Sequence, residues 1–147
     1  MEADRGSGGA GRSGGAGRSG GADGAGESGT DGRNELGRRG EQIAADHLQR
    51  QGLVLLSKNW RCRQGELDLV LTDGVRLIVC EVKTRSGAGF GTPIEAVTRR
   101  KASKIRQVTR YWLAAHRVRW CEVRFDVVGV ECPPGGEPTV QHLVEAF

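Results

Sequence analysis

Between Met1 and Arg33 the chain contains no Val, Ile, Leu, Phe, Trp, Tyr or Cys. Apart from Met1, alanine supplies the only apolar side chains there. Such a segment cannot bury enough surface to offset the entropy of ordering it. Ser7–Arg12 and Ser13–Arg18 both read SGGAGR, and Ser19–Gly24 (SGGADG) is a degraded third copy. Gly/Ser-rich sequence of this kind behaves as a flexible coil. We therefore expect residues 1–33 to be a disordered tail, and residues 34–147 to form one domain around one core. A second domain, a long solenoid and a large barrel are excluded by length.

Charge divides at the same boundary. The chain carries 22 Lys+Arg and 18 Asp+Glu, a net charge of +4. The tail contributes four Arg and five acids, so the remainder holds 18 against 13. Nine basic residues and one acid, Glu122, fall between Arg99 and Arg124. A field of that sign attracts polyanions, although a solubilising surface would have the same composition. No run of ~18 apolar residues is present, so no membrane partner is expected. The N-terminus has no apolar core of a secretory signal. Cys62, Cys80, Cys121 and Cys132 lack C-x-x-C spacing, which favours reduced thiols and a cytoplasmic location.

The remaining pattern is mixed. Asn34 is a candidate helix cap before ELGRRGEQIAADHLQRQ, where Leu36, Gly40, Ile43, Ala44 and Leu48 form a stripe, and Gly52 stands where a C′ glycine belongs. Leu53–Leu56 reads as a short strand. Glu66–Thr72 and Val75–Thr84 read as strands joined by a two-residue Asp73-Gly74 hairpin. Ser86–Thr92 reads as a glycine-rich loop. A helix is expected over about Thr98–His116, with Ile105, Val108, Trp112 and Leu113 on its apolar face. Val123–Val130 reads as a further strand, and Thr139–Phe147 as a last short one or a terminal helix. The fold class is α/β, with αβββαβ order and a mixed central sheet flanked by helices.

The two hairpin strands carry acids in their middle. Asp68 interrupts a run with Leu67, Leu69, Val70 and Leu71; Glu81 interrupts Ile78, Val79, Cys80 and Val82. Near-continuous apolar strands are covered on both faces, and acids there are costly unless paired or metal-bound. Alternation puts Glu81 and Lys83 on one face, and Glu66 and Asp68 likewise on one. A two-residue turn would set Asp68 opposite Arg76–Val79 and bring Glu81 and Lys83 closer to Glu66. Clustered carboxylates repel unless a cation sits between them. A hard divalent cation, Mg²⁺ or Mn²⁺, suits them, and such an ion beside a lysine suits phosphodiester hydrolysis. A salt-bridged, solvent-facing ribbon is the plainer reading of the same pattern.

These segments carry a resemblance. GRRGEQIAADHL (Gly37–Leu48), GLVLLSKNWRCRQGELDLV (Gly52–Val70), EVKTR with GTPIEAV (Glu81–Val97), RRKASKIRQVTRYWL (Arg99–Leu113) and RFDVV (Arg124–Val128) resemble the YraN-like family of bacterial proteins. Through it they resemble the PD-(D/E)xK superfamily, with its restriction endonuclease-like fold and its archaeal Holliday-junction resolvases. The resemblance implies a metal-dependent endonuclease-like hydrolase acting on DNA, branched or structured. Asp68 and Glu81 stand at its metal-binding acids, Lys83 at its catalytic lysine, and Glu41 at the helix glutamate that completes the metal site. Leu67 replaces the proline that names the superfamily. Resolvase-like members tend to pair, so a homodimer is one expected assembly. A non-catalytic nucleic-acid-binding module with the same fold is the alternative, and a protein-interaction domain a third.

Arg85, Arg99, Arg100, Lys101 and Lys104 are the candidate phosphate contacts. Trp60, beside Asn59 and Arg61, is the candidate for stacking on a base, whereas Trp112 belongs to the core stripe. His47, His116 and His142 are expected to pack or lie on the surface. Asp126 sits mid-strand without an assigned role.

Overall fold

The computed structural model of the protein describes residues 27–87, 95 and 97–147. The expected tail up to residue 26 lies outside them, as does the expected glycine-rich loop from Ala88 onward. The elements run α1 (Glu27–Arg50), β1 (Val54–Cys62), β2 (Gly65–Thr72), β3 (Leu77–Arg85), α2 (Arg99–Ala115), β4 (Val123–Glu131) and β5 (Thr139–Leu143). The αβββαβ order is as expected, and of the two readings of Thr139–Phe147 the short strand holds, as β5. The strands form one sheet in the order β1-β2-β3-β4-β5. Only β3 and β4, joined through α2, are parallel; the other three pairings are antiparallel.

A helix covers each face. Ala44, Ala45 and Leu48 of α1 pack on Leu69, Leu71, Ile78, Cys80, Val82, Val128 and Val130. Ile105, Val108 and Trp112 of α2 pack on Leu67, Val70, Leu77 and Val79. The two-sided burial explains why β2 and β3 read as unbroken apolar runs. Gly52 closes α1 with φ +92°, and the Leu53 N–H returns to the Leu48 carbonyl at 3.2 Å.

Four expectations change. First, α1 begins at Glu27, so Asn34 is interior to the helix and does not cap it, and residues 27–33 are not part of a coil. Once the packed turns from Leu36 onward have nucleated the helix, each further turn costs little. Second, β1 runs to Cys62 and turns through Arg63-Gln64, well past Leu56. Third, the β2–β3 turn has four residues. The Asp73 carboxylate accepts the Val75 and Arg76 N–H groups at 2.9 and 2.6 Å, which removes both from the ladder. Fourth, the longer turn moves the register: Leu69 pairs with Cys80, and Asp68 comes beside Glu81 instead of opposite Arg76–Val79.

Candidate active site

The β2–β3 ladder ends at Leu69–Cys80. One residue further, Asp68 Oδ2 accepts the Val82 N–H at 2.9 Å, so a side chain takes the donor that the next rung would use. The strand also changes phase there. Leu69 and Leu71 face α1, yet Leu67 belongs to the α2-side cluster. Across the sheet, β1 pairs Lys58 with Leu69 and Trp60 with Leu67, and the intervening Asn59 has φ +51°. The twist opens the sheet at Asp68.

Into this opening come Glu81 and two lysines. Glu81 is 8 % exposed and stands beside Asp68, close enough for its charge to act on that carboxyl. Burial, and next the Glu81 charge, push the Asp68 pKa up to about 7, against the lowering effect of the Val82 N–H. Lys101 Nζ lies 2.5 Å from Glu81 Oε1, and Lys83 Nζ lies 3.4 Å from the same oxygen. Burial, then the neighbouring Lys101, lowers the Lys83 pKa. Burial also opposes the charge on Lys101, but its bonds to Glu81 and Lys83 outweigh that and raise its pKa.

Glu41 approaches from α1. Gly40 makes this possible: a Cβ there would fall 1.8 Å from Thr84 Oγ1 and 2.7 Å from Thr84 Cβ. With no side chain between them, α1 lies directly on the end of β3. Glu41 is close enough for its charge to help raise the Asp68 pKa, while Asn59 Nδ2 donates to Glu41 Oε2 at 2.8 Å. Two depressions of about 450 and 300 Å³ flank this part of α1, one toward Asn59, Arg61 and Glu66, the other toward Val82, Lys83 and Thr84.

The structure thus brings Asp68, Glu81, Lys83 and Lys101 together, with Glu41 beside them. Glu66 stays out: it is exposed and pairs with Arg61 at 3.2 Å, because the change of phase at Asp68 removes it from the shared face. Among the described residues no three His, Cys, Asp or Glu side chains stand together as a metal cage. Arg85 follows Lys83 along β3 and lines a hollow with Glu131 and Gln141. Arg99, Arg100 and Lys104 are exposed on α2, and Arg100 and Lys104 border a depression of about 600 Å³ with Lys101. Lys101 itself is not a bare surface cation. Its partnership with Glu81 was invisible in sequence, where the two are 20 positions apart.

Other candidates resolve into structure. Asp126 is fully buried, held by Arg124 through two bonds of 2.9 and 2.8 Å, by His142 at 2.8 Å and by the Glu145 N–H at 3.1 Å. His116 stacks on Trp112 with ring centroids 4.0 Å apart, and His47 meets His142 edge-on. Trp60 is half-buried against the α2-side core, whereas Trp120, between Arg119 and Cys121, is 87 % exposed. The four cysteines are free. No helix among the described residues is long and apolar enough to cross a membrane.

The fold and site define an α/β protein whose mixed, helix-flanked sheet opens around a half-buried Asp68 and a buried Glu81, with two lysines. The chain belongs to Uncharacterised protein family UPF0102, the YraN-like family, which matches residues 40–130, a span containing Glu41, Asp68, Glu81, Lys83 and Lys101. It is 54 % identical over 115 residues to a UPF0102 protein of Frankia alni, covering 78 % of this chain and 96 % of that one. It is 54 % identical over 107 residues to a UPF0102 protein of Clavibacter michiganensis, covering 73 % and 91 %. A relative in Acidothermus cellulolyticus is 50 % identical over 125 residues, covering 78 % and 95 %.

Proposed function

We propose that this protein is a divalent-metal-dependent nuclease that hydrolyses phosphodiester bonds in DNA, branched or structured DNA above all. The observation that carries the reading is the Asp68–Glu81 pair. Two carboxylates share a water-poor site, and Asp68 is pushed up to about 7. Such a pair is costly to the fold and needs a cation to relieve it.

The donor set fits Mg²⁺ or Mn²⁺. Mg²⁺ is commonly held by one or two carboxylates, with water and phosphate oxygens filling the other positions. A three-acid cage is therefore not required. Asp68 and Glu81 would hold the ion, and Glu41 would act through water. When bound, the ion supplies Lewis-acid stabilisation of phosphate charge and a more acidic water.

The chain's own groups would do the rest. Lys83, with its lowered pKa, sits 3.4 Å from Glu81 Oε1, where it can orient the attacking water and stabilise charge developing on the phosphate. Arg99, Arg100 and Lys104 would hold the flanking phosphates. Trp120 offers an exposed ring for stacking on an unpaired base. Four reduced cysteines suit a cytoplasmic location. A two-fold homodimer would bring two such sites to one junction, which light scattering tests.

The experiment is cleavage of labelled junction, flap, duplex and single-stranded DNA with Mg²⁺ or Mn²⁺. Metal-dependent cleavage that is lost in Asp68→Ala and Lys83→Ala, with binding retained, supports the nuclease. One observation favours a second reading, a non-catalytic nucleic-acid-binding module: two lysines already neutralise Glu81 without a metal. Salt-sensitive binding with no cleavage of any substrate would establish that module instead.

A further inference from the structure

One lysine would be enough to neutralise Glu81, and Lys83, two residues along the same strand, already reaches it. The second, Lys101, comes from a different element. Thr98 caps α2, its hydroxyl accepting the Lys101 N–H at 3.2 Å, so the first turn is fixed. From there the Lys101 side chain crosses to Glu81 Oε1 and stands nearer to it than Lys83 does, 2.5 against 3.4 Å.

Lys101 also has somewhere else to go. Its side chain borders the depression lined by Arg100, Ser103, Lys104 and Gln107 on the outer side of α2. Lys83 is held on β3 beside Glu81 and borders the hollows toward α1 and β5. An ammonium on a flexible stem is a compact point charge, so it can substitute for a metal ion and then withdraw.

We propose that Lys101 is an internal counter-ion: in the metal-free protein its ammonium holds Glu81 Oε1, beside Asp68, where a divalent cation would bind, and on metal binding it swings out to contact a substrate phosphate. This rests on the nuclease reading of the same site. Lys101 is then a positioning residue in the unloaded protein and a competitor of the metal. It keeps the acidic pair neutral until an ion arrives.

The test is Mn²⁺ binding by calorimetry to the full chain, above the Asp68 midpoint, without nucleic acid. The proteins are wild type, Lys101→Gln, Lys104→Gln and Asp68→Asn. Removing a competing charge at contact distance is expected to tighten Mn²⁺ binding about tenfold in Lys101→Gln. Lys104→Gln should stay within about twofold of wild type, because it changes the same helix charge without touching Glu81. Asp68→Asn should lose binding. Thermal melts supply a second readout: the rise in Tm on adding Mn²⁺ should be larger in Lys101→Gln than in wild type. Equal or weaker Mn²⁺ binding in Lys101→Gln, beside a wild type that binds, overturns the counter-ion and leaves the nuclease reading standing. Absence of binding in both proteins overturns the two together.

Discussion

Asp68 stands beside Glu81 at the point where the β2–β3 ladder stops, and its Oδ2 takes the Val82 N–H at 2.9 Å. That contact takes the donor that the next rung would use and holds the half-buried Asp68 beside Glu81. The arrangement makes Asp68 a weak acid and a liability to the fold.

The folded pKa of Asp68, about 7, lies above its unfolded value of 3.8. Between those values the native state holds a proton that the unfolded state has lost. The contribution of Asp68 to stability therefore falls as pH rises from 3.8 to about 7, and stays low above that. Asp68→Asn has no proton to lose. Its Tm should exceed that of wild type by roughly 5 °C above the window and by almost nothing below it. Melts across the pH range check this; a gain independent of pH would contradict it.

Gly40 lets α1 touch β3. A methyl group there meets Thr84 Cβ at 2.7 Å, close to the backbone, so the helix must shift. Gly40→Ala should cost about 1–3 kcal/mol and carry Glu41 away from Asp68. Thr84→Ala in the same chain should recover part of the loss, so the double-mutant cycle is expected to show a coupling of about 1 kcal/mol. Denaturant unfolding measures it, and additive effects would contradict the contact.

Asp126 is a buried charge with four bonds, three of them to cationic or imidazole side-chain atoms. Arg124→Ala removes two of those four bonds and the guanidinium charge, and should destabilise by about 3 kcal/mol or more. The exposed pair Arg61–Glu66 makes the control: Glu66→Ala should change stability by less than about 1 kcal/mol. Urea unfolding of both variants checks the contrast.

On α2, Arg100→Ala and Lys104→Ala should each weaken DNA binding across all sequences and lower the slope of log K against log salt by about one. Trp120→Ala should weaken binding to unpaired strands and leave duplex binding nearly unchanged, at a cost of about 1–3 kcal/mol. Fluorescence anisotropy over a salt series separates the two effects.

The sheet and its helices were legible because both cores are built on periodic apolar residues: Leu36, Ala44 and Leu48 at helical spacing, and Ile105, Val108 and Trp112 likewise. Asp68 and Glu81 stood out because acids rarely interrupt such runs, and Lys83 because alternation puts it on the face of Glu81. What escaped sequence reading depended on single side-chain bonds. Asp73 spends its carboxylate on two backbone N–H groups, which lengthens the turn and moves the register. Asn59 at φ +51° and the change of phase at Asp68 leave Glu66 outside the cluster, although alternation puts it inside. Lys101 counted as one of nine basic residues, because the contact that distinguishes it joins two elements far apart in the chain.

A nuclease of this kind requires a divalent cation at the Asp68–Glu81 pair. A crystal soaked in Mn²⁺ and measured for anomalous scattering answers this directly. A peak is expected within coordination distance of both carboxylates, with the Lys101 ammonium moved off Glu81. Well-ordered density with no peak there, and Lys101 still on Glu81 Oε1, would contradict it.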